Sequence, residues 1–308
     1  MRVCVMIEGQ EGVTWDDWLA LAGSAEEAGL DGLFRSDHYT SFHGPPGDAL
    51  DAWATLCALA AVTSRIRLGT LVSAATFRHP SVLARTVTTA DQVSGGRVEL
   101  GLGTGWFEKE HVQNGFGFPD IPARFDLLAE YAEVVVRSWT EESFDHEGRH
   151  FVLRGQTALP HPVQRPHPPL ILGGRGRARS VALAARLAAE YNVAFCGVAD
   201  CRHHRARLDR ACEATGRDPA TLSLSLMTYA ALGKSRTDAQ RRLERADPLF
   251  MAPLTTGLLG TVDEVAERFA EYRQAGVTRI YLQHPDRSDV DAVAHMGELA
   301  EILDATAR

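Results

Sequence analysis

Glu26-Glu27-Ala28-Gly29-Leu30-Asp31-Gly32-Leu33-Phe34-Arg35-Ser36-Asp37-His38-Tyr39 holds one full period of the pattern that decides the fold: a helix end, a glycine, a short strand and a polar loop. Gly29 suits the left-handed residue that closes a helix, and Gly32–Arg35 then reads as strand. Upstream, Thr14-Trp15-Asp16-Asp17-Trp18 starts that helix, with a threonine N-cap and acids in the first turn where the macrodipole favours them. Asp91-Gln92-Val93-Ser94-Gly95-Gly96-Arg97 repeats the same helix-to-glycine junction before another β-rich run.

Eight such runs recur along the chain: Val3–Ile7, Gly32–Arg35, Ile66–Val72, Val98–Leu102, Leu170–Leu172, Asn192–Cys196, Leu222–Met227 and Arg279–Gln283. Each is followed by an amphipathic helix pattern, which is the mark of parallel strands joined by crossover helices. Several are apolar on successive residues, as expected where one face fills a barrel and the other meets helices. The expectation is an α/β chain folded as a (β/α)8 TIM barrel, one domain over residues 1–308. Two stretches break the spacing and are expected as insertions after strands four and seven. One is about 140–168, where Phe144–Phe151 reads as a hairpin before a proline-rich run; the other is about 246–260. Excursions of that length at a barrel's top are expected to act as lids.

Composition narrows the function. Of 308 residues 45% are apolar and 23% charged, an ordinary water-soluble balance, and the net charge of -8 disfavours a nucleic-acid backbone or an anionic membrane as partner. Cys4, Cys57, Cys196, Cys201 and Cys212 show neither metal-type spacing nor a CxxC pair, so they are expected as reduced thiols. MRVCVMIEG meets charge and glycine too early for a signal peptide, and no apolar run approaches the ~20 residues of a membrane span. A cytoplasmic location is expected. His203-His204 is an adjacent pair among arginines, and neither it nor His161 and His167 joins an HExxH-like pattern, so no metal is expected. No GxSxG elbow supports a serine nucleophile.

A barrel carries its chemistry on the loops after the strands. Ser36-Asp37-His38-Tyr39 follows the second; a histidine there moves a proton near neutral pH, unless the pair is merely a satisfied polar junction. Gly101-Leu102-Gly103-Thr104-Gly105-Trp106-Phe107 follows the fourth, either a tight turn or a place where backbone amides approach an anion. Gly173-Gly174-Arg175-Gly176-Arg177-Ala178-Arg179 follows the fifth. Cations at a helix start oppose the macrodipole, which points to a bound anion or to a simple exposed basic turn. Together these loops describe a pocket for a phosphate-bearing ligand.

These residues resemble the bacterial luciferase-like monooxygenase superfamily, and within it the F420-dependent oxidoreductases. The likeness spans nearly the whole chain. It rests on Gly29–His38, Arg65–Val72, Phe77-Arg78-His79-Pro80, Ser94–Glu108, Pro168–Gly174 and Ala275–Gln283. The resemblance implies roles residue by residue. His38 matches the active-site histidine beside the cofactor ring, and Asp37 the acid at the deazaflavin edge. Leu71-Val72 falls where the family carries a non-prolyl cis peptide behind the ring. Thr104, Gly105 and Trp106 match the loop beside the cofactor's side chain, and Gly173, Gly174, Arg175 and Gly176 the phosphate site. Arg177 and Arg179 lie beyond the match, and by their charge they are expected to meet the acidic tail of F420. Glu108 matches a catalytic acid, and His111 a cofactor contact. The implied cofactor is F420, with FMN as the alternative. The implied reaction is hydride transfer between F420 and a small organic substrate, the alternatives being an FMN-dependent monooxygenase and a non-catalytic binder. A separate reductase or dehydrogenase supplying reduced cofactor, and a homodimer, are expected partners.

Overall fold

The computed structural model describes every residue except 43, 45, 46, 246–257, 287, 288, 307 and 308. Eight strands pair in parallel around a closed ring: β1 (Arg2–Ile7), β2 (Gly32–Arg35), β3 (Arg67–Thr70), β4 (Val98–Gly103), β5 (Leu170–Gly173), β6 (Glu190–Ala194), β7 (Ser223–Thr228) and β8 (Val277–Gln283). Leu68 opposite Val98 joins β3 to β4, and Val3 opposite Ile280 joins β1 to β8, so no edge is left open. This is the (β/α)8 barrel read from the sequence.

Alternation along the strands sorts the side chains into two sets. Val3, Val5 and Ile7, with Leu33, Leu68 and Leu100, point outward into the main core against the helices. Cys4, Met6, Phe34, Leu71, Ile171 and Tyr281 point inward and fill the barrel's own interior. Helix α1 (Trp15–Glu27) starts as expected on Thr14, whose side chain accepts from Asp17 in a capping box. Helix α3 (Pro80–Ser94) starts on His79 with Pro80 in its first turn and closes at Gly95, φ 66°.

Most strand limits differ from the sequence reading by one or two residues, and at two strands the chain itself gives the reason. The third strand ends at Thr70 because the Leu71–Val72 peptide is cis and turns the chain. The sixth opens at Glu190, whose charge is paired inside the barrel, and stops at Ala194 before Phe195, which takes φ 52°.

The insertion near 140–168 contains the expected antiparallel hairpin, Phe144–Glu147 with Val152–Gln156. It lies along the barrel's flank rather than across its mouth. Glu130, on helix α5 (Ile121–Thr140), accepts from the backbone of His150 and Phe151, while Arg85 of α3 donates to Thr157 and Leu159 carbonyls. Asp91 accepts from Val163 and Gln164 further down α3. Most of the second expected insertion lies outside the described residues.

Candidate active site

The mouth of the barrel is floored by the inward residues at the carboxyl ends of the strands. On the β3 to β5 side that floor is built for space. Val72 projects there, and a Cβ added to Gly103 would stand 2.7 Å from its Cγ2, one on Gly173 3.4 Å from its Cγ1. Gly101 also abuts Val72, and a Cβ there would strike the carbonyl oxygen of Thr70. Glycine at three inward positions therefore leaves a shallow shelf of flat, apolar character above Val72, with Leu71 buried beside it. Leu71 is held to β2 by its N–H, which donates to the Arg35 carbonyl at 2.8 Å.

His38 stands at the edge of the mouth with 13% of its side chain exposed. Its Nδ1 lies 2.8 Å from Glu110 Oε2, and Glu110 also accepts from the backbone N–H groups of Tyr39 and Thr40. An ionised Glu110 only accepts, so Nδ1 carries the proton and Nε2 is left for the mouth. Burial works against the charge on His38. The hydrogen bond and charge of Glu110, with Glu8 and Asp37 behind them, outweigh that and place its pKa above the ordinary 6.5. Phe42 and Trp106 stand edge-on to the imidazole at 4.8 and 5.9 Å between centroids. Trp106 itself is 63% exposed.

Glu110 comes from helix α4 (Glu108–Asn114), and it corrects the reading of Glu108. Residues two apart on a helix point about 200° apart; Glu110 is buried toward His38, and Glu108 is exposed on the other face. His111 is corrected likewise. It is fully buried, with Nδ1 2.7 Å from the Phe107 carbonyl and Nε2 2.7 Å from Thr76 Oγ1, so both nitrogens are taken within the protein. Gly105, φ 75°, packs on this ring, where a Cβ would meet His111 Nε2 at 3.1 Å, and Thr104 precedes it, half-buried.

Asp37 lies under the mouth rather than in it. Arg78 takes both its oxygens, at 2.6 and 3.1 Å, and also donates to Tyr39 Oη and Asp51. The expected contact with a ring edge is therefore replaced by a buried ion pair that anchors the loop after β2.

Gly173 and Gly174 end β5 beside the shelf. Gly174 lies against the Tyr191 hydroxyl, which accepts from Gly176 N–H at 2.9 Å, and Gly176 takes φ 65°. The turn leads into helix α6 (Ala178–Leu187), whose N-cap Arg177 supplies no side-chain hydrogen bond; neither does Gly197 before helix α7 (Val198–Ala214). Two uncapped helix starts beside β5 and β6, with Arg175 and Arg177 exposed, place positive charge at this corner of the mouth. Arg179 is paired with Asp126.

The opposite wall, at β1 and β8, was not anticipated. Glu8 accepts from Gln283 Nε2 at 2.8 Å and from Gln10 Nε2 at 3.1 Å, and Gln10 Oε1 accepts from Ser36. The signal was available: Glu8, one residue past β1, and Gln283, the last residue of β8, continue the inward alternation of Cys4, Met6 and Tyr281. Among the described residues no three His, Cys, Asp or Glu side chains converge as a metal site would require. No helix among them is long and apolar enough to cross a membrane.

A glycine shelf, a histidine paired with Glu110 and two uncapped helix starts thus share the carboxyl end of the barrel. Residues 1–254 match the family model described as luciferase-like monooxygenase. The chain belongs to that family. An F420-dependent glucose-6-phosphate dehydrogenase of Microbacterium testaceum is 37% identical over 168 residues, a match covering 54% of this luciferase-like chain and 49% of that protein. The monooxygenase RslO1 from Streptomyces bottropensis superposes over the whole of both chains, with a TM-score of 0.82 and 25% identity. An F420-dependent secondary alcohol dehydrogenase, solved with an F420-acetone adduct, shares the fold with a TM-score of 0.82 over 98% of each chain at 18% identity. Proteins named as F420-dependent dehydrogenases and as a monooxygenase are thus both similar to this chain.

Proposed function

We propose that this oxidoreductase moves a hydride between coenzyme F420 and a small organic substrate. One observation carries the reading: the glycine shelf over Val72, at the ends of β4 and β5, and the His38–Glu110 pair, after β2, share the carboxyl end of one barrel. The residues present suit the cofactor, because Gly101, Gly103 and Gly173 leave the space that a flat ring needs and side chains would fill. The uncapped starts of α6 and α7 offer backbone N–H groups to its phosphate, with Arg175 and Arg177 beside them. Bound there, F420 supplies an obligate two-electron hydride acceptor or donor.

The protein's own part is proton handling. For an alcohol substrate, neutral His38 accepts the hydroxyl proton at Nε2 as the C–H hydride departs, and Glu110 stabilises the imidazolium through Nδ1–H. Carbonyl reduction runs the same path backwards, with His38 donating. Phe42 and Trp106 flank the imidazole and shield it from bulk water. A separate dehydrogenase or reductase, in this reading, turns the cofactor over.

Equilibrium dialysis against F420 and FMN, followed by a hydride-transfer assay at the deazaflavin's visible band, tests the proposal. F420 is expected to bind at least tenfold more tightly. The similarity to RslO1 along the full chain favours a second reading, an FMN-dependent monooxygenase. Tight FMN binding with oxygen consumption, and no uptake of F420, selects that one.

A further inference from the structure

The charges at the mouth do not cancel evenly. Asp37 is matched by Arg78 and Glu110 by His38. Glu8 is held only by two neutral amides, Gln10 and Gln283, and no cation stands within ion-pair distance of it among the described residues. It adds to the field on His38, so the two groups share the cleft. Gln283 is 4% exposed, and with its Nε2 committed to Glu8, its Oε1 is left with no donor. The nearby guanidinium, Arg35, is buried and consumed by Ser36, Thr55 and Leu50. The chain's two lysines, Lys109 and Lys234, are both exposed, on α4 and after β7. Outside the described residues, 246–257 contains neither lysine nor arginine, and the arginines are Arg287, four residues past Gln283, and Arg308. In an eight-stranded barrel β1 lies across from β5, so this anionic wall faces the positive corner from the other side of the cleft.

We propose that Glu8 and Gln283 form the substrate wall, and that they select a hydroxyl-bearing substrate that is uncharged or cationic while rejecting phosphorylated and carboxylated ones. The carboxylate accepts from a substrate hydroxyl or ammonium group, Gln283 Oε1 gains the donor it lacks, and a second anion brought to this wall is repelled, because Arg35, the guanidinium near Glu8 among the described residues, is buried and also faces Asp37 and Asp51. The proposal rests on the hydride-transfer reading for its choice of alcohol. Its charge selectivity belongs to the protein alone.

Three compounds on one carbon skeleton test it: isoserinol, glycerol and α-glycerophosphate, which carry a cation, no charge and an anion beside the same secondary hydroxyl. Dissociation constants come from titration calorimetry, with and without F420, so failure of F420 to bind overturns the cofactor reading without touching this measurement. The expected order of affinity is isoserinol, glycerol, α-glycerophosphate, spanning at least about tenfold, the size of one partly screened charge contact. Glu8→Gln should collapse that span to within about threefold while circular dichroism stays unchanged. Gln283→Leu should weaken all three alike and keep their order. Equal affinities in the unaltered protein, undetectable binding of all three included, or preference for α-glycerophosphate, overturn the proposal, as does a span that Glu8→Gln leaves intact.

Discussion

His38 is poised by a single carboxylate, and this fixes how the protein should respond to pH. Its folded pKa lies above 6.5 because Glu110 outweighs the burial that opposes charge. Oxidation of an alcohol needs the neutral imidazole, so kcat/KM in that direction should rise with pH through a midpoint above 6.5, and reduction should fall through the same midpoint. Glu110→Gln removes the raising interaction and leaves the burial, so the midpoint should move to the acid side of its original value. Glu108→Ala should move nothing, since that carboxylate points away from the cleft. A pH-rate profile unchanged by Glu110→Gln would remove Glu110 from the positioning role. Which of two acids on one short helix faces inward was not legible in the sequence. That depends on where the helix begins to within one residue, the least determined feature of a helix. His38 was legible, because it follows a strand whose end the glycine junction had already placed. The commitment of Asp37 to Arg78, 41 residues away, had no local signal.

At the level of strands, the glycines of β4 and β5 divide into those the backbone requires and those the cleft requires. A Cβ on Gly101 would drive into the neighbouring carbonyl of Thr70, so substitution there damages the barrel itself. Gly173 is different: a Cβ would only touch Val72 at 3.4 Å, an ordinary contact. Gly173→Ala should therefore fold normally and bind cofactor with little loss. Gly173→Leu should keep a melting temperature close to the original and lose cofactor affinity at least about tenfold, because its side chain occupies the shelf. Thermal melts paired with cofactor titration separate the two effects, and unaltered affinity in Gly173→Leu would move the ring site elsewhere. The eight strands were legible because each carried its own apolar run and glycine punctuation. The hairpin at Phe144–Gln156 was legible as a hairpin but not in its position on the flank, since that depends on Glu130 of α5 reaching the backbone of its turn and Asp91 of α3 reaching that of Val163 and Gln164 in the run that follows.

Over the whole molecule, the end of the barrel opposite the mouth is closed by an ionic plug. Arg279, 1% exposed, donates to both oxygens of Glu99 at 2.7 and 2.9 Å, to Asp31 at 2.8 Å and to Glu190 at 3.2 Å, and Tyr281 donates to Glu190 at 2.6 Å. Three strands, β4, β6 and β8, and the loop before β2 thus meet on one guanidinium. Burial by itself raises the pKa of Glu99, but Arg279 and Arg67 overcome it and bring the value down to about 2. A carboxylate depressed on folding contributes stability that is present above its unfolded value of 4.5 and lost as pH falls through about 2. Arg279→Met has a side chain that fits the space but leaves the carboxylates unmatched, so it should cost about 3–5 kcal/mol in urea unfolding at neutral pH. The gap between the two proteins should narrow as pH falls below 4.5, because protonation removes the buried charges that the variant cannot neutralise. A gap that stays constant from neutral pH down to about 2 would assign the cost to lost packing instead of unpaired charge, and the plug would then be a matter of shape.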